Sequence, residues 1–249
     1  MTPTARIFVS IRDRAACTVA CVESLIRTAE PGASIHLYDC GSDADWPELE
    51  AHYQRWLDAG QVESLVRWTP EQLADVYWSK NFAWAHFLSK LRMLPGDEKQ
   101  FVVMVDNDTV AGPGWLSESI ALLRDPGLLS AGLRVLSPYD GPPCPRSHPD
   151  EYRTLARITL NSRHVEIRDK LCSRFWVAPW SFFAQFEPPT WDQITRSGKP
   201  DRMPTDWYYW KRMEALSQRF GVIRPPICTD PPFAWPSARM TNAIGEDAP

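Results

Sequence analysis

The stretch Phe101-Val102-Val103-Met104-Val105-Asp106-Asn107-Asp108 decides the fold, because a continuous apolar run ends in two carboxylates separated by one residue. Such a run is typical of a strand buried on both faces, as in a parallel or mixed sheet covered by helices. An unpaired buried charge is costly, so we expect Asp106 and Asp108 at the carboxyl end of the strand, where open α/β sheets bind ligands. Paired carboxylates suit a hard cation such as Mg²⁺ or Mn²⁺, which would bind a diphosphate. A plain acidic turn is the alternative interpretation.

Strand and helix patterns alternate along the first half of the chain, and this rhythm favours βαβ units with right-handed crossovers. The predicted strands there are 6–11, 34–39 and 61–68, and the predicted helices are 13–28, 46–59 and 70–93. The second half is less regular. Its predicted elements are a strand at 128–136, a strand or hairpin at 158–169, a strand at 173–179, a helix at 204–220 capped by Gly221, and a strand at 222–228.

Composition indicates an ordinary globular protein of 249 residues with 44% hydrophobic residues, 23% charged residues and a net charge of −4. We expect one domain, and the charge gives no general attraction to nucleic acid or anionic lipid. No apolar stretch approaches the roughly 20 residues that span a bilayer, and the N-terminus has no signal-peptide pattern. The six cysteines are scattered, which favours buried reduced thiols over a metal site and suggests a cytoplasmic protein.

Four segments in order resemble the GT-A nucleotide-sugar glycosyltransferases, above all the large inverting family with an Asp-x-Asp motif. They are Phe101–Leu116, Arg6–Ile11, Ile35–Asp43 and Thr205–Trp207. The resemblance implies an α/β fold of the GT-A, Rossmann-like kind: a mixed, mostly parallel sheet flanked by helices. It also implies a single domain over 1–249, with the nucleotide-sugar donor in about 1–112 and the acceptor in about 113–249.

The resemblance implies roles for the acidic pair in a metal-dependent transfer. In that family the first carboxylate contacts the donor ribose and the second coordinates the divalent cation, roles that fall on Asp106 and Asp108. The expected cofactor is Mn²⁺ or Mg²⁺, held by Asp108 and Asp106 and neutralising a departing nucleoside diphosphate. Many members complete the metal shell with a late histidine, which is missing here. Asp230 is the candidate substitute, unless it only begins a turn.

The donor base pocket is expected where the first two strands end. In the family a carboxylate at the position of Asp39 accepts a hydrogen bond from the uracil imide, which implies a UDP-sugar. A turn cap is the alternative for Asp39. Gly41 permits a tight turn and Ser42 or Asp43 approaches the ribose, while Ser10 and Arg12 form the other wall. Arg12 either pairs with a phosphate or lies on the surface. In the family a basic or amide residue of the third helix often faces the nucleotide, which at Lys80-Asn81 implies a nucleotide contact by Asn81. A solvated helix face is the simpler interpretation.

Catalysis and acceptor binding are expected in the second half. Asp206 is the candidate general base for an inverting transfer, with a simple N-cap as the alternative. Thr205 departs from the Glu-Asp usual in the family. Trp180 and Trp207 are chosen from an aromatic cluster as acceptor-stacking residues. The acceptor itself stays open: a small molecule, glycan, protein or modified nucleic-acid base. A nucleotidyl or phosphoryl transferase and an inactive nucleotide-sugar-binding module are the competing functions.

Overall fold

The computed structural model describes residues 5–76, 79–94, 101–140, 153–160, 163–170, 174–187 and 205–231. Strands and helices alternate over the first half, as the sequence predicts. In order they are β1 (Ala5–Ile11), α1 (Ala15–Thr28), β2 (Ala33–Cys40), α2 (Trp46–Asp58), β3 (Ser64–Trp68), α3 (Ser79–Arg92) and β4 (Phe101–Asp106). The second half contributes α4 (Trp115–Leu123), α5 (Pro126–Ser130), β5 (Leu133–Ser137), β6 (Thr154–Leu160), β7 (Arg163–Arg168), β8 (Phe175–Pro179), α6 (Trp180–Ala184), α7 (Thr205–Ala215) and β9 (Arg219–Arg224).

The strands form one mixed sheet in the order β3-β2-β1-β4-β8-β5-β9-β7-β6. The first four are parallel neighbours, whereas β8 runs antiparallel between β4 and β5, and β7 runs antiparallel between β9 and β6. Seven of these nine described strands therefore point the same way. The carboxyl ends of β1, β2 and β4 meet at one edge of the sheet, where a ligand site is expected.

The apolar run of β4 is buried on both faces, as predicted. Val103 and Val105 join one hydrophobic cluster together with residues of α1 and α4. Val102 and Met104 point the other way, into a cluster with the aromatic residues of α3. All four are at most 1% exposed, so the strand is held from both sides and its end is fixed in position.

Several predicted element boundaries were wrong, two of them for a clear local reason. The helix predicted at 70–93 begins at Ser79, because Thr69 and Gln72 cap each other's backbone N–H groups and close a separate turn. The strand predicted at 128–136 begins only at Leu133. Its first residues belong to α5, which the Asp125 side chain caps through the backbone N–H of Leu128 at 3.0 Å.

The helix predicted to reach residue 220 ends at Ala215, and β9 occupies 219–224 rather than 222–228. Gly221 is therefore not a helix cap but an inner strand residue. A Cβ there would come within 2.6 Å of Leu133 Cδ1 and 2.9 Å of Val165 Cγ1. The glycine is needed because neighbouring side chains fill the space above it.

Two findings bear on compartment. Among the helices of the described residues, none is long and apolar enough to cross a lipid bilayer. Cys17, Cys21, Cys40 and Cys228 are buried free thiols, as expected, whereas Cys144 and Cys172 lie outside the described residues. A cytoplasmic location stays a prediction.

Candidate functional site

Two acidic residues and a serine occupy adjacent positions at the carboxyl edge of the sheet. The parallel register pairs Ser10 on β1 with Asp106 on β4, and Ile11 with Asp39 on β2. Ser10 Oγ donates a hydrogen bond of 2.8 Å to Asp106 Oδ1. The sheet order thus brings together side chains that are 96 positions apart in the sequence.

Asp106 is also paired with a cation that the sequence interpretation did not assign. Lys80 Nζ, from the first turn of α3, lies 2.5 Å from Asp106 Oδ1, and both side chains are about a quarter exposed. The neighbouring Asn81 is only 2% exposed. The interpretation of Lys80-Asn81 as a solvated helix face was therefore wrong, because the start of α3 faces the end of β4. A nucleotide contact by Asn81 stays a prediction.

Two arginines lie at Asp108, and one of its carboxylate oxygens accepts no hydrogen bond from the described residues. Arg14 donates from one guanidinium nitrogen to Asp108 Oδ2 at 3.0 Å, and Arg174 comes within 4.0 Å of the same oxygen. Asp108 Oδ1 is buried and receives no hydrogen bond from any described residue. A buried carboxylate oxygen without a donor is costly, and a divalent cation would satisfy it.

Arg174 links the acidic pair to Asp230. Tyr139 OH accepts from Arg174 at 3.0 Å and donates to Asp230 Oδ1 at 2.6 Å, and Arg174 itself lies 3.6 Å from that oxygen. Burial raises the pKa of Tyr139, so it stays a neutral donor. The segment carrying Asp230 is fixed beside the acidic loop by paired backbone hydrogen bonds between Val110 and Thr229. Asp230 is thus near Asp108, as its proposed metal role requires, but with Arg174 between them.

Asn107, between the two carboxylates, has structural contacts of its own. It is 7% exposed, and its side-chain N–H groups donate to the Asp13 carbonyl at 3.1 Å and to Thr18 Oγ1 at 2.8 Å. Its backbone N–H donates to the Ser10 carbonyl at 3.2 Å. Asn107 therefore ties the acidic loop after β4 to the loop between β1 and α1.

Asp39 is fully buried, and described groups use both of its oxygens. Oδ1 accepts from the backbone N–H groups of Gly41 at 3.2 Å and Ser42 at 2.7 Å, and Oδ2 accepts from Tyr53 OH at 3.3 Å. Burial raises the pKa of Asp39. Gly41 makes the predicted tight turn with a φ of 93°. The turn-cap alternative accounts for these contacts, while recognition of a base by Asp39 stays a prediction, as does the ribose contact of the buried Ser42.

A cavity of about 130 Å³ opens beside Asp39, between the ends of β1 and β2 and the start of α3. Its size is close to the roughly 150 Å³ of an engineered protein cavity that binds benzene, so a single aromatic ring fits. Arg12, which is exposed, stands at its wall. The other lining residues are Cys40, Gly41, Pro70, Leu73, Ala74, Val76 and Ser79. Of the residues predicted at the donor base pocket, Arg12 and Gly41 line this cavity, whereas Ser10, Asp39 and Ser42 do not.

The predicted catalytic and acceptor residues are only partly described. Asp206 lies in the first turn of α7, and the side chains of Asp206 and Trp207 are outside the described set. Trp180 is 6% exposed and packs with the aromatic residues of the second hydrophobic cluster. Trp180 therefore has little surface for stacking on a sugar in this structure, and its acceptor role stays a prediction.

Among the described residues, no group of three or more His, Cys, Asp or Glu side chains is arranged to hold a metal ion. Lys80, Arg14 and Arg174 lie among Asp106, Asp108 and Asp230 instead. The donor set nevertheless fits a hard divalent ion, because it is all oxygen and because Asp108 Oδ1 is buried without a donor.

No known family model and no curated protein matches this sequence. Solved structures do. The mannosyltransferase PcManGT from Pyrobaculum calidifontis, in complex with GDP-Man and Mn²⁺, is 14% identical, with a TM-score of 0.56 over 98% of this chain and 61% of its own. GalNAc-T7 with UDP, GalNAc and Mn²⁺ is 12% identical, with a TM-score of 0.57 over 91% of this chain and 43% of its own.

A third similar structure is S. aureus TarS 1-349 in complex with UDP-GlcNAc, 14% identical, with a TM-score of 0.50 over 89% of this chain and 56% of its own. The chain thus has the GT-A fold of nucleotide-sugar glycosyltransferases, and the predicted fold class is confirmed. It spans between about two fifths and three fifths of the length of these neighbours.

Proposed function

We propose that this protein is a metal-dependent glycosyltransferase that moves a sugar from a nucleotide-sugar donor to a hydroxyl acceptor. The observation that carries the proposal is Asp108 Oδ1, a buried acceptor without a donor among the described residues, at the carboxyl edge of a GT-A sheet. A ring-sized cavity opens at the same edge. Similar folds bind nucleotide sugars, and the solved neighbours include complexes with UDP-GlcNAc, UDP and GDP-Man.

The donor base would enter the cavity beside Arg12, and a UDP-sugar is the donor we propose. A pyrimidine is a single ring, which matches a cavity of about 130 Å³ better than a purine does. Ser10 and Asp106, at the ends of β1 and β4, are joined by a hydrogen bond of 2.8 Å. Asp106, which Lys80 holds in place, would accept a hydrogen bond from the ribose.

A divalent cation, Mn²⁺ or Mg²⁺, would be held by Asp108 with help from Asp106 and Asp230, and it would neutralise the charge on the departing diphosphate. The protein's own part is to hold these carboxylates in position. Arg14 and Arg174 do so at Asp108, and Tyr139 does so at Asp230 by donating a hydrogen bond. The two neighbouring structures crystallised with Mn²⁺ support this cofactor.

Asp206 is proposed as the general base of an inverting transfer. It would take the proton from the acceptor hydroxyl as that oxygen attacks the anomeric carbon. Its place in the first turn of α7 is the structural support for this role. We expect Asp206→Asn to lower the transfer rate by about 10²–10⁴-fold while leaving donor binding intact, as is typical for loss of a general base.

Nucleotide binding is tested by thermal shift with UDP and Mn²⁺ together. At a ligand concentration of about 100 Kd the stabilisation is about 2.7 kcal/mol, or roughly 5–11 °C for a chain of this size. Asp108→Asn is expected to abolish the shift, and Asp58→Asn, on the exposed end of α2, serves as the matched control. GDP with Mn²⁺ tests the choice of base. If no nucleoside diphosphate stabilises the wild-type protein with either metal, the proposed function is wrong.

Release of UDP from a UDP-sugar separates an enzyme from a binding module. A protein that is stabilised by UDP and Mn²⁺ but never releases the nucleotide from any UDP-sugar, with or without acceptors, would be an inactive binding module on this fold.

A further inference from the structure

Arg14 stands at the acidic pair in a conformation that few residues adopt. Both Asp13 and Arg14 have left-handed backbone dihedrals, with φ values of 49° and 59°. For residues other than glycine this conformation costs about 1–2 kcal/mol each, and it persists only where the surroundings impose it. Here it turns the chain sharply into α1 and directs the Arg14 guanidinium at Asp108.

The surroundings that impose this turn come from the segments after β2 and β4. Ser42 Oγ, after β2, accepts from the Asp13 backbone N–H at 2.8 Å. Asn107, after β4, donates to the Asp13 carbonyl at 3.1 Å. Asp45 accepts from the Ala15 N–H at 2.8 Å. Arg14 is therefore placed by the whole loop cluster and is not a surface side chain that meets Asp108 by chance.

Three carboxylates and three cations form ion pairs at the acidic loop. Among the described residues, Asp106, Asp108 and Asp230 are matched by the three cations Lys80, Arg14 and Arg174. A divalent ion entering alone would leave the cluster with an excess charge of about two. A nucleoside diphosphate entering with the ion brings about two or three negative charges, so the pair enters at little net change. Electrostatics thus favours joint entry.

For a metal to bind Asp108 through both oxygens, the guanidinium at Oδ2 must move, and Arg14 at 3.0 Å holds that oxygen more closely than Arg174 at 4.0 Å. Arg174 is also tied to Tyr139 and Asp230, which fix it in the network behind the site. Arg14 directly precedes α1, whose first N–H already donates to the Asp45 carboxylate, so the Arg14 side chain and not the helix end would bind an entering anion. A guanidinium has five donors in a planar fork that matches phosphate oxygens.

We propose that Arg14 couples metal loading to diphosphate binding. In the absence of the nucleotide sugar, Arg14 neutralises Asp108 and competes with the metal for it. When the metal and a nucleoside diphosphate enter together, the Arg14 guanidinium turns its N–H groups to the diphosphate. This inference rests on the proposed function and adds a specificity-determining residue to it. Arg14 therefore lowers the affinity for the metal alone and raises the affinity for the metal–nucleotide pair.

The test measures two affinities on the full chain by titration calorimetry: Mn²⁺ alone, and UDP at saturating Mn²⁺. Glutamine, like arginine, carries a Cβ, so Arg14→Gln does not change the intrinsic cost of the left-handed conformation at this position. We expect Mn²⁺ alone to bind more tightly and UDP more weakly, each by a factor within about 5–150, the usual range of coupling between two ligands. Arg55→Gln, which removes an exposed guanidinium paired with Glu23, is the matched control.

A purely structural role for Arg14 cannot make the affinity for Mn²⁺ alone rise while the affinity for UDP falls. If Arg14→Gln binds Mn²⁺ no better than wild type, or if neither protein binds Mn²⁺, the inference is overturned. If Arg14→Gln does not fold, Arg14→Lys decides: it keeps the charge but loses the fork, so UDP should weaken while Mn²⁺ alone stays excluded. Unchanged UDP affinity in Arg14→Lys would then overturn the inference.

The same titrations separate this inference from the proposed function. Wild type that binds neither UDP nor GDP with Mn²⁺ refutes the function itself. Wild type that binds UDP with Mn²⁺, together with an Arg14→Gln variant whose Mn²⁺ affinity is unaltered, refutes only the role of Arg14.

Discussion

Replacing His36 should flatten the loss of stability in acid. His36 lies on β2, partly buried, with Nδ1 2.8 Å from Ser64 Oγ and Nε2 3.0 Å from Ser34 Oγ. Burial, assisted by the cations Arg6 and Lys90, lowers the pKa of His36 to about 4. The folded pKa therefore lies below the ordinary value of about 6.5. The stability that the neutral ring contributes is present above pH 6.5 and is lost as the pH falls through 4.

The size of the effect follows from these two pKa values. Between pH 7 and pH 4.5, a group with pKa values of about 6.5 unfolded and about 4 folded removes at most about 2.5 kcal/mol from the free energy of unfolding. Partial solvent access to the ring screens the shift, so we expect about 1–2.5 kcal/mol. For a chain of this size this corresponds to a fall in Tm of about 2–10 °C.

The assay is urea or thermal unfolding at pH 7 and pH 4.5 for wild type and His36→Gln. Glutamine can still donate to one serine and accept from another, but it does not titrate, so the variant should lose less stability in acid by the stated amount. The same change at the exposed His164 shows what replacing any histidine does. Parallel losses in wild type and His36→Gln would refute the reasoning.

Two further substitutions probe the site. Gly112→Ala places a Cβ against the backbone carbonyl of Ile227, so the segment that carries Asp230 must shift; we expect a loss of about 1–3 kcal/mol in urea unfolding and weaker UDP binding with Mn²⁺. Gly114→Ala, where φ is 74° and the space is open, should cost only about 1 kcal/mol, and equal losses would contradict the steric argument. Asp39→Asn keeps an acceptor for the turn amides and removes a buried charge whose raised pKa makes ionisation a cost at pH 7. Its stability should therefore change little, whereas its UDP affinity should fall about tenfold if Asp39 recognises the base; unaltered affinity would restrict Asp39 to the turn.

The sheet was predictable because its signal is local. The apolar run before Asp106 is long enough to identify β4 without knowledge of its neighbours, and its burial on both faces follows from composition. The end of that strand then places the acidic pair. The errors arose where two local signals compete, as at Asp125, where a capped helical turn overrides an apolar run that a strand pattern would claim.

The cations around the acidic pair were not predictable, because they depend on packing. Arg14, Lys80 and Arg174 come from the start of α1, the start of α3 and the residue before β8, and only the strand order makes these three places neighbours. The sequence places Lys80 on a predicted helix, but only the rotation of that helix, α3, decides whether Lys80 faces solvent or Asp106. A residue such as Gly112 is similar, since its close approach to Ile227 follows from the path of a distant segment.

The matched charges also explain how the site is stable without a ligand. Two partly buried carboxylates at one strand end would repel each other and lose hydration, a cost of several kcal/mol per ion. Lys80 at 2.5 Å from Asp106 and Arg14 at 3.0 Å from Asp108 offset that cost within the chain itself. The fold therefore does not need a metal to hold Asp106 and Asp108 together. In the proposed coupling, metal binding depends on the nucleotide, because the Arg14 guanidinium that the metal displaces from Asp108 then binds the diphosphate.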